Sequence, residues 1–97
     1  LGDDGHTASL FPGTEAPGVI DQWATVGRGK GLDRITLTAP VLSAARQVIF
    51  LVSGANKQEA LKRLLDPTES SERTPARLVQ PANDVLIIAD QDATAGL

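Results

Sequence analysis

The segment Gln47-Val48-Ile49-Phe50-Leu51-Val52-Ser53 is a nearly unbroken apolar run of strand length. A strand that is apolar at successive positions has no polar face to offer water. That is the signature of a central strand in a parallel sheet, buried on both faces. A helix is expected after it: Asn56 is a plausible N-cap for Lys57 to Asp66, where Ala60, Leu61, Leu64 and Leu65 form an apolar stripe. Pro67 stops that helix, and Pro67 to Arg73 reads as a polar loop. Thr74 to Gln80 reads as extended. Asp84 to Ala89, built on Val85-Leu86-Ile87-Ile88, predicts a second buried strand, and Asp90 to Leu97 the start of a helix.

Upstream, Arg34-Ile35-Thr36-Leu37-Thr38 alternates and is rich in β-formers, so it predicts a strand. Pro40 suits the first turn of a helix from Pro40 to Arg46. Thr14 to Arg28 is a weak helix candidate, broken by Pro17 and Gly18, with Val19, Trp23 and Val26 at i, i+4, i+7. Gly27-Arg28-Gly29-Lys30-Gly31 reads as a flexible basic link. Leu1 to Gly13, dense in Gly, Asp and Thr, reads as a loop with a short helical turn. Strand, helix, strand, helix, strand in succession argues for an α/β layer with a mostly parallel sheet and flanking helices.

The 97 residues allow one domain or part of one. Surface scaling gives about 5,300 Å² for a compact chain of this mass, with roughly 64% of the extended surface buried. An apolar fraction of 41% and a charged fraction of 22% are those of a globular chain. Twelve acids against nine bases leave a net charge of -3, which argues against a phosphate-backbone binder. A small anionic ligand needs only two or three local cations. With no cysteine there is no disulfide framework, thiol nucleophile or thiolate metal site, and a reducing, cytoplasmic setting fits. The longest apolar run is far too short to span a bilayer, and no signal peptide is visible. The chain has no Met, even at position 1. Together with three strands too few to cover themselves, this suggests the C-terminal half of a larger α/β domain.

The densest group of chemistry-bearing residues is Gly2-Asp3-Asp4-Gly5-His6-Thr7-Ala8-Ser9-Leu10-Phe11-Pro12-Gly13. His6 is the only side chain of a type that titrates near neutrality, so it is the candidate general base. Gly5 allows close approach of a ligand or a positive φ. Asp4 could orient the imidazole. A surface turn would use the same Asp and Gly, so residue types alone leave both readings open. Thr7 and Ser9 could cap a helix or bind a ligand hydroxyl. A Ser9-His6-Asp4 triad is unattractive at this spacing, and no nucleophile elbow is present. One His and no Cys make a poor metal site. Arg34 opens a strand, and Lys57 follows a strand-to-helix turn, where open α/β sheets bind ligands and a helix N-terminus suits a phosphate. Either could equally be a solvated charge. No Walker pattern and no G-x-G-x-x-G support a nucleotide.

The run from Gly2 to Gly13 resembles the signature of the 6-phosphogluconolactonase family, whose D-G-H-T-A-S-L-F-P-G segment it matches without interruption. Further matches are Arg34 to Thr38, Pro40-Val41-Leu42, Ala45-Arg46, Phe50 to Gly54, Lys57, and Pro75-Ala76-Arg77 through Asp90. The resemblance implies an α/β Rossmann-like fold shared with sugar-phosphate isomerases and deaminases, of which residues 1–97 would be the C-terminal portion. It implies hydrolysis of 6-phospho-D-glucono-1,5-lactone to 6-phosphogluconate in the oxidative pentose phosphate pathway, with no cofactor or metal. His6 stands at the catalytic histidine, with Asp4 or a backbone carbonyl holding its tautomer. Arg34 and Lys57 stand at positions that contact the substrate phosphate. As a mechanism built on this, backbone amides around Gly5 or Thr7 would stabilise the oxyanion. The family's first half adds a Gly-rich phosphate loop, so the expected partners are a sugar-phosphate lactone and that N-terminal half, not nucleic acid or a membrane.

Two alternatives stand beside this. Glucosamine-6-phosphate deaminases share the D-G-H core, the Arg and the Lys. They continue into an Asn-Glu-Pro pattern that supplies a catalytic acid, where this chain has Leu10-Phe11-Pro12. The other alternative is a non-catalytic sugar-phosphate-binding fragment.

Overall fold

The computed structural model describes residues 1–97. Its elements, in chain order, are strands β1 (Ala24–Gly29) and β2 (Leu32–Leu37), helix α1 (Ala39–Ser43), strand β3 (Val48–Val52), helix α2 (Gln58–Leu65), strand β4 (Val85–Ala89) and helix α3 (Gln91–Thr94). Single 3-10 turns lie at Ala16–Gly18, Ala55–Lys57 and Pro75–Leu78.

The apolar runs form the expected parallel pair. β3 and β4 run in register from Val48 opposite Val85 to Val52 opposite Ala89, joined through α2. One face of this pair packs inward: Phe50 and Val52 meet Leu61 of α2, Ala76, Val79 and Ala93 of α3 in the main core. The other face, expected to be buried as well, is bare within these 97 residues. Ile49, Leu51, Leu86 and Ile88 are exposed, Leu51 at 71%. Only 18 residues are buried, and the chain exposes 5999 Å², about 700 Å² more than the roughly 5,300 Å² of a compact chain of this mass.

The strand at Arg34–Thr38 is present as β2, but it does not join the parallel pair. It pairs antiparallel with β1 in a separate two-stranded sheet, Gly27 opposite Arg34 and Gly29 opposite Leu32. The helix expected over Thr14 to Arg28 is therefore corrected to one 3-10 turn followed by a strand. Pro17 and Gly18 limit the helical part, and pairing with β2 claims Ala24 to Gly29. The supposed flexible link contains a two-residue hairpin turn, with Lys30 at φ 55° and Gly31 at φ 76°, the positive values a type I′ connection requires.

Three further readings change. Thr74 to Gln80 is not extended, because Pro75 starts a 3-10 turn at Pro75–Leu78. The helix after Pro40 ends at Ser43, short of Arg46. Asn56 does not cap α2: a 3-10 turn intervenes, closed by the Lys57 amide on the Gly54 carbonyl at 3.1 Å. Asp90 does cap α3, accepting from the Ala93 amide at 2.9 Å.

Candidate functional site

The signature loop, Gly2 to Gly13, folds back on itself. The Gly2 amide donates to the His6 carbonyl at 2.8 Å, and the Gly5 amide to the Gly2 carbonyl at 3.0 Å. This brings the His6 ring down onto the Gly2 backbone, where any Cβ would overlap the imidazole. Gly5 has φ +89°, and a Cβ there would press on Thr74. The Gly5 carbonyl accepts from the Ala76 amide at 3.0 Å. The turn at Pro75–Leu78 thus braces the loop directly behind His6.

Asp4 and His6 are brought together as the sequence suggests. Asp4 Oδ1 accepts from the His6 amide at 3.0 Å and lies 2.5 Å from Nδ1. Burial disfavours the Asp4 anion, but hydrogen bonds from the His6 amide and ring, with the His6 and Lys30 charges, outweigh it and hold the carboxyl below its ordinary value. Asp4 is therefore a carboxylate at neutral pH and can only accept. In the neutral ring the hydrogen therefore sits on Nδ1, and Nε2 keeps its lone pair. The His6 side chain is 21% exposed.

Phe11 lies against the other side-chain groups of the loop. Its ring is 4.4 Å from that of His6, and the Arg34 guanidinium sits 5.6 Å from the Phe11 centroid. Beneath it, Gly29 has no room for a Cβ beside the Phe11 ring, and Gly27 has none beside Ser9. Directly paired residues share one face of an antiparallel sheet. Gly27, Gly29, Arg34 and Thr36 therefore form one face of the hairpin, and the loop lies on it. The Ser9 amide donates to Thr36 Oγ1 at 3.1 Å. The two glycines make the hairpin flat where the loop must approach closely.

Lys57 meets the loop at another point, its Nζ donating to the Leu1 carbonyl at 2.5 Å. The turn before it is fixed by Asp90, which accepts from Ser53 Oγ at 2.7 Å and from the Gly54 amide at 3.2 Å. Those bonds, with the Ala93 amide, hold Asp90 below its ordinary value. Neither Arg34 nor Lys57 has a carboxylate partner. The Thr7 carbonyl takes the Leu10 amide, while the Thr7 hydroxyl makes no bond within the chain. Of the amides around Gly5 and Thr7, that of Gly5 is engaged by the Gly2 carbonyl. An open cleft of about 430 Å³ lined by Thr7, Leu37, Leu42, Val48 and Phe50 is mostly apolar and excludes His6, Arg34 and Lys57.

Known proteins resemble this chain in sequence and fold. The family described as glucosamine-6-phosphate isomerases/6-phosphogluconolactonase matches residues 1–88. The chain belongs to that family. It is 47% identical over 97 residues to the 6-phosphogluconolactonase of Synechocystis sp., covering all of this chain and 40% of that protein. It is 40% identical over 102 residues to the human 6-phosphogluconolactonase, covering all of this chain and 38% of that protein. Among solved structures, the 6-phosphogluconolactonase of Trypanosoma brucei matches with TM-score 0.84 and 31% identity, over the whole of this chain and 40% of that one. The chain thus spans about two fifths of the length of these relatives.

Sequence reasoning missed Gly27, Gly29, Lys30, Thr74 and Asp90. The alternation of Gly27 and Gly29 opposite a β-rich run was a usable signal for a close-packed hairpin. Asp90, at a strand end before a helix, had the form of an N-cap. Nothing local marked Thr74, whose role depends on a contact 69 positions away in the chain.

Proposed function

We propose that residues 1–97 are the C-terminal portion of a single 6-phosphogluconolactonase domain, and that His6 is the general base in hydrolysis of 6-phospho-D-glucono-1,5-lactone. The observation that carries this reading is the Asp4–His6 pair, in which the neutral ring presents the Nε2 lone pair from a partly exposed side chain. Nε2 takes a proton from a water poised over C1, and the water oxygen attacks the carbonyl carbon. The imidazolium then gives that proton to the ring oxygen as the C1–O bond breaks. Arg34 and Lys57, free of carboxylate partners, are suited to the 6-phosphate, so binding far from C1 orients the lactone. The Thr7 hydroxyl is free for a substrate oxygen. The reaction as written needs no cofactor or metal.

The deaminase reading is disfavoured by one residue: Phe11 packs on His6 and Gly29 where that reaction needs a carboxylate. A non-catalytic sugar-phosphate-binding fragment leaves the geometry of the Asp4–His6 pair without a use.

The bare face of the β3–β4 pair supports an N-terminal partner segment. Parallel sheets are covered on both faces, and the relatives have about three fifths of their length outside the matched region. That segment would cover Ile49, Leu51, Leu86 and Ile88. No helix is long and apolar enough to cross a membrane, and a phosphorylated substrate fits a cytoplasmic site. The test is lactone consumption by the protein carrying this chain, with spontaneous hydrolysis subtracted. Loss of the excess rate in His6→Gln supports the assignment; an unchanged rate refutes it.

A further inference from the structure

Lys30 occupies the hairpin tip in a left-handed conformation, φ 55°. Asn and Gly are the residues that such a turn favours. The Lys30 ammonium reaches the signature loop, 3.5 Å from Asp3 Oδ1 and 3.8 Å from Asp4 Oδ2. Asp4 Oδ1 is fully used by His6, through the amide and Nδ1. The two oxygens of one carboxylate are thus divided between the candidate base and a cation carried in by a different sheet.

We propose that Lys30 is a positioning residue for the hydrolysis: it fixes the Asp4 carboxylate from its free oxygen and offsets part of the negative charge that Asp4 presents to His6. This rests on the reading of His6 as the base. A lone carboxylate beside an imidazole favours the protonated ring, which cannot act as a base. A cation on the far oxygen reduces that bias while leaving the orienting hydrogen bond in place. The charged groups around the pair are Asp3 and Asp4 on the loop, Lys30 at the hairpin tip and Arg34 on β2 over Phe11, with Lys57 at Leu1. Of these cations, only Lys30 touches Asp4.

The test compares Lys30→Asn and Lys30→Arg in the protein carrying this chain. Asn suits the turn, so the hairpin is kept while the charge is lost. In Lys30→Asn at low salt, the acid limb of the kcat/KM–pH profile moves to higher pH by about half a unit, the size of a unit-charge effect at a half-exposed site. The Asp4 carboxyl-carbon titration also moves up, which needs no activity. Lys30→Arg behaves as the parent, and 1 M salt closes the difference. The proposal is overturned if Lys30→Asn leaves the Asp4 titration and acid limb within 0.1 unit of the parent, or if Lys30→Arg shifts as far as Lys30→Asn. If His6→Gln keeps its turnover, the base assignment fails, and the Asp4 titration still decides what Lys30 does.

Discussion

Asp4 holds His6 at two points through a single oxygen: Oδ1 accepts the His6 amide at 3.0 Å and meets Nδ1 at 2.5 Å. One atom therefore sets both the backbone course at His6 and the tautomer of its ring. Asp4→Asn keeps the size of the side chain but can present an NH₂ to Nδ1 in place of an acceptor. We expect kcat to fall at least tenfold with little change in KM, because the ring loses its preferred tautomer and not its substrate contacts. Steady-state kinetics across pH 6–9 checks this.

The same carboxylate makes stability depend on acid pH. Asp4 and Asp90 are both held below the ordinary value of 3.8. A lowered carboxyl contributes stability that is fully present above the unfolded value and is lost as pH falls through the folded one. Tm is therefore expected to be flat above about pH 5 and to drop as pH falls below about 4. Asp4→Asn and Asp90→Asn should each shallow that drop, measured by thermal melts from pH 2 to 7.

Gly27 lies so close to Ser9 that a Cβ would overlap the Ser9 carbonyl. Backbone cannot rotate away as a side chain can. Gly27→Ala should cost about 1–3 kcal/mol, the usual range for overpacking. Denaturant midpoints measure it. Gly31→Asn, in open space at the hairpin tip and at a φ that Asn tolerates, should change stability little.

If Arg34 and Lys57 hold the phosphate as proposed, their loss should show in KM. Lys57→Ala and Arg34→Ala are each expected to raise KM for the phosphorylated lactone about tenfold or more, consistent with a lost charge-assisted hydrogen bond. kcat should change less. Turnover of the unphosphorylated lactone should be nearly indifferent to both changes.

Much of the fold was legible because it is written in local pattern. The runs at Val48 to Val52 and Val85 to Ile88 became β3 and β4, and the stripe at Ala60, Leu61, Leu64 and Leu65 became α2. The hairpin was not legible. Val19, Trp23 and Val26 have helical spacing, yet Val26 pairs with Ile35, and only that long-range partner turns Ala24–Gly29 into a strand. Of the site, the sequence offered Asp4 as a partner for His6 without deciding between that and a surface turn. Gly27, Gly29 and Thr74 were not legible, because their roles lie in what a missing or small side chain allows a distant loop to approach.

The most direct measurement is the rate of 6-phosphogluconolactone loss, above spontaneous hydrolysis, for the parent protein and for His6→Gln at neutral pH. The expected result is an excess rate that falls by about 10²–10⁴ in the variant, the range of a general base, with product affinity retained. An excess rate that survives His6→Gln would contradict the assignment of His6 as the base.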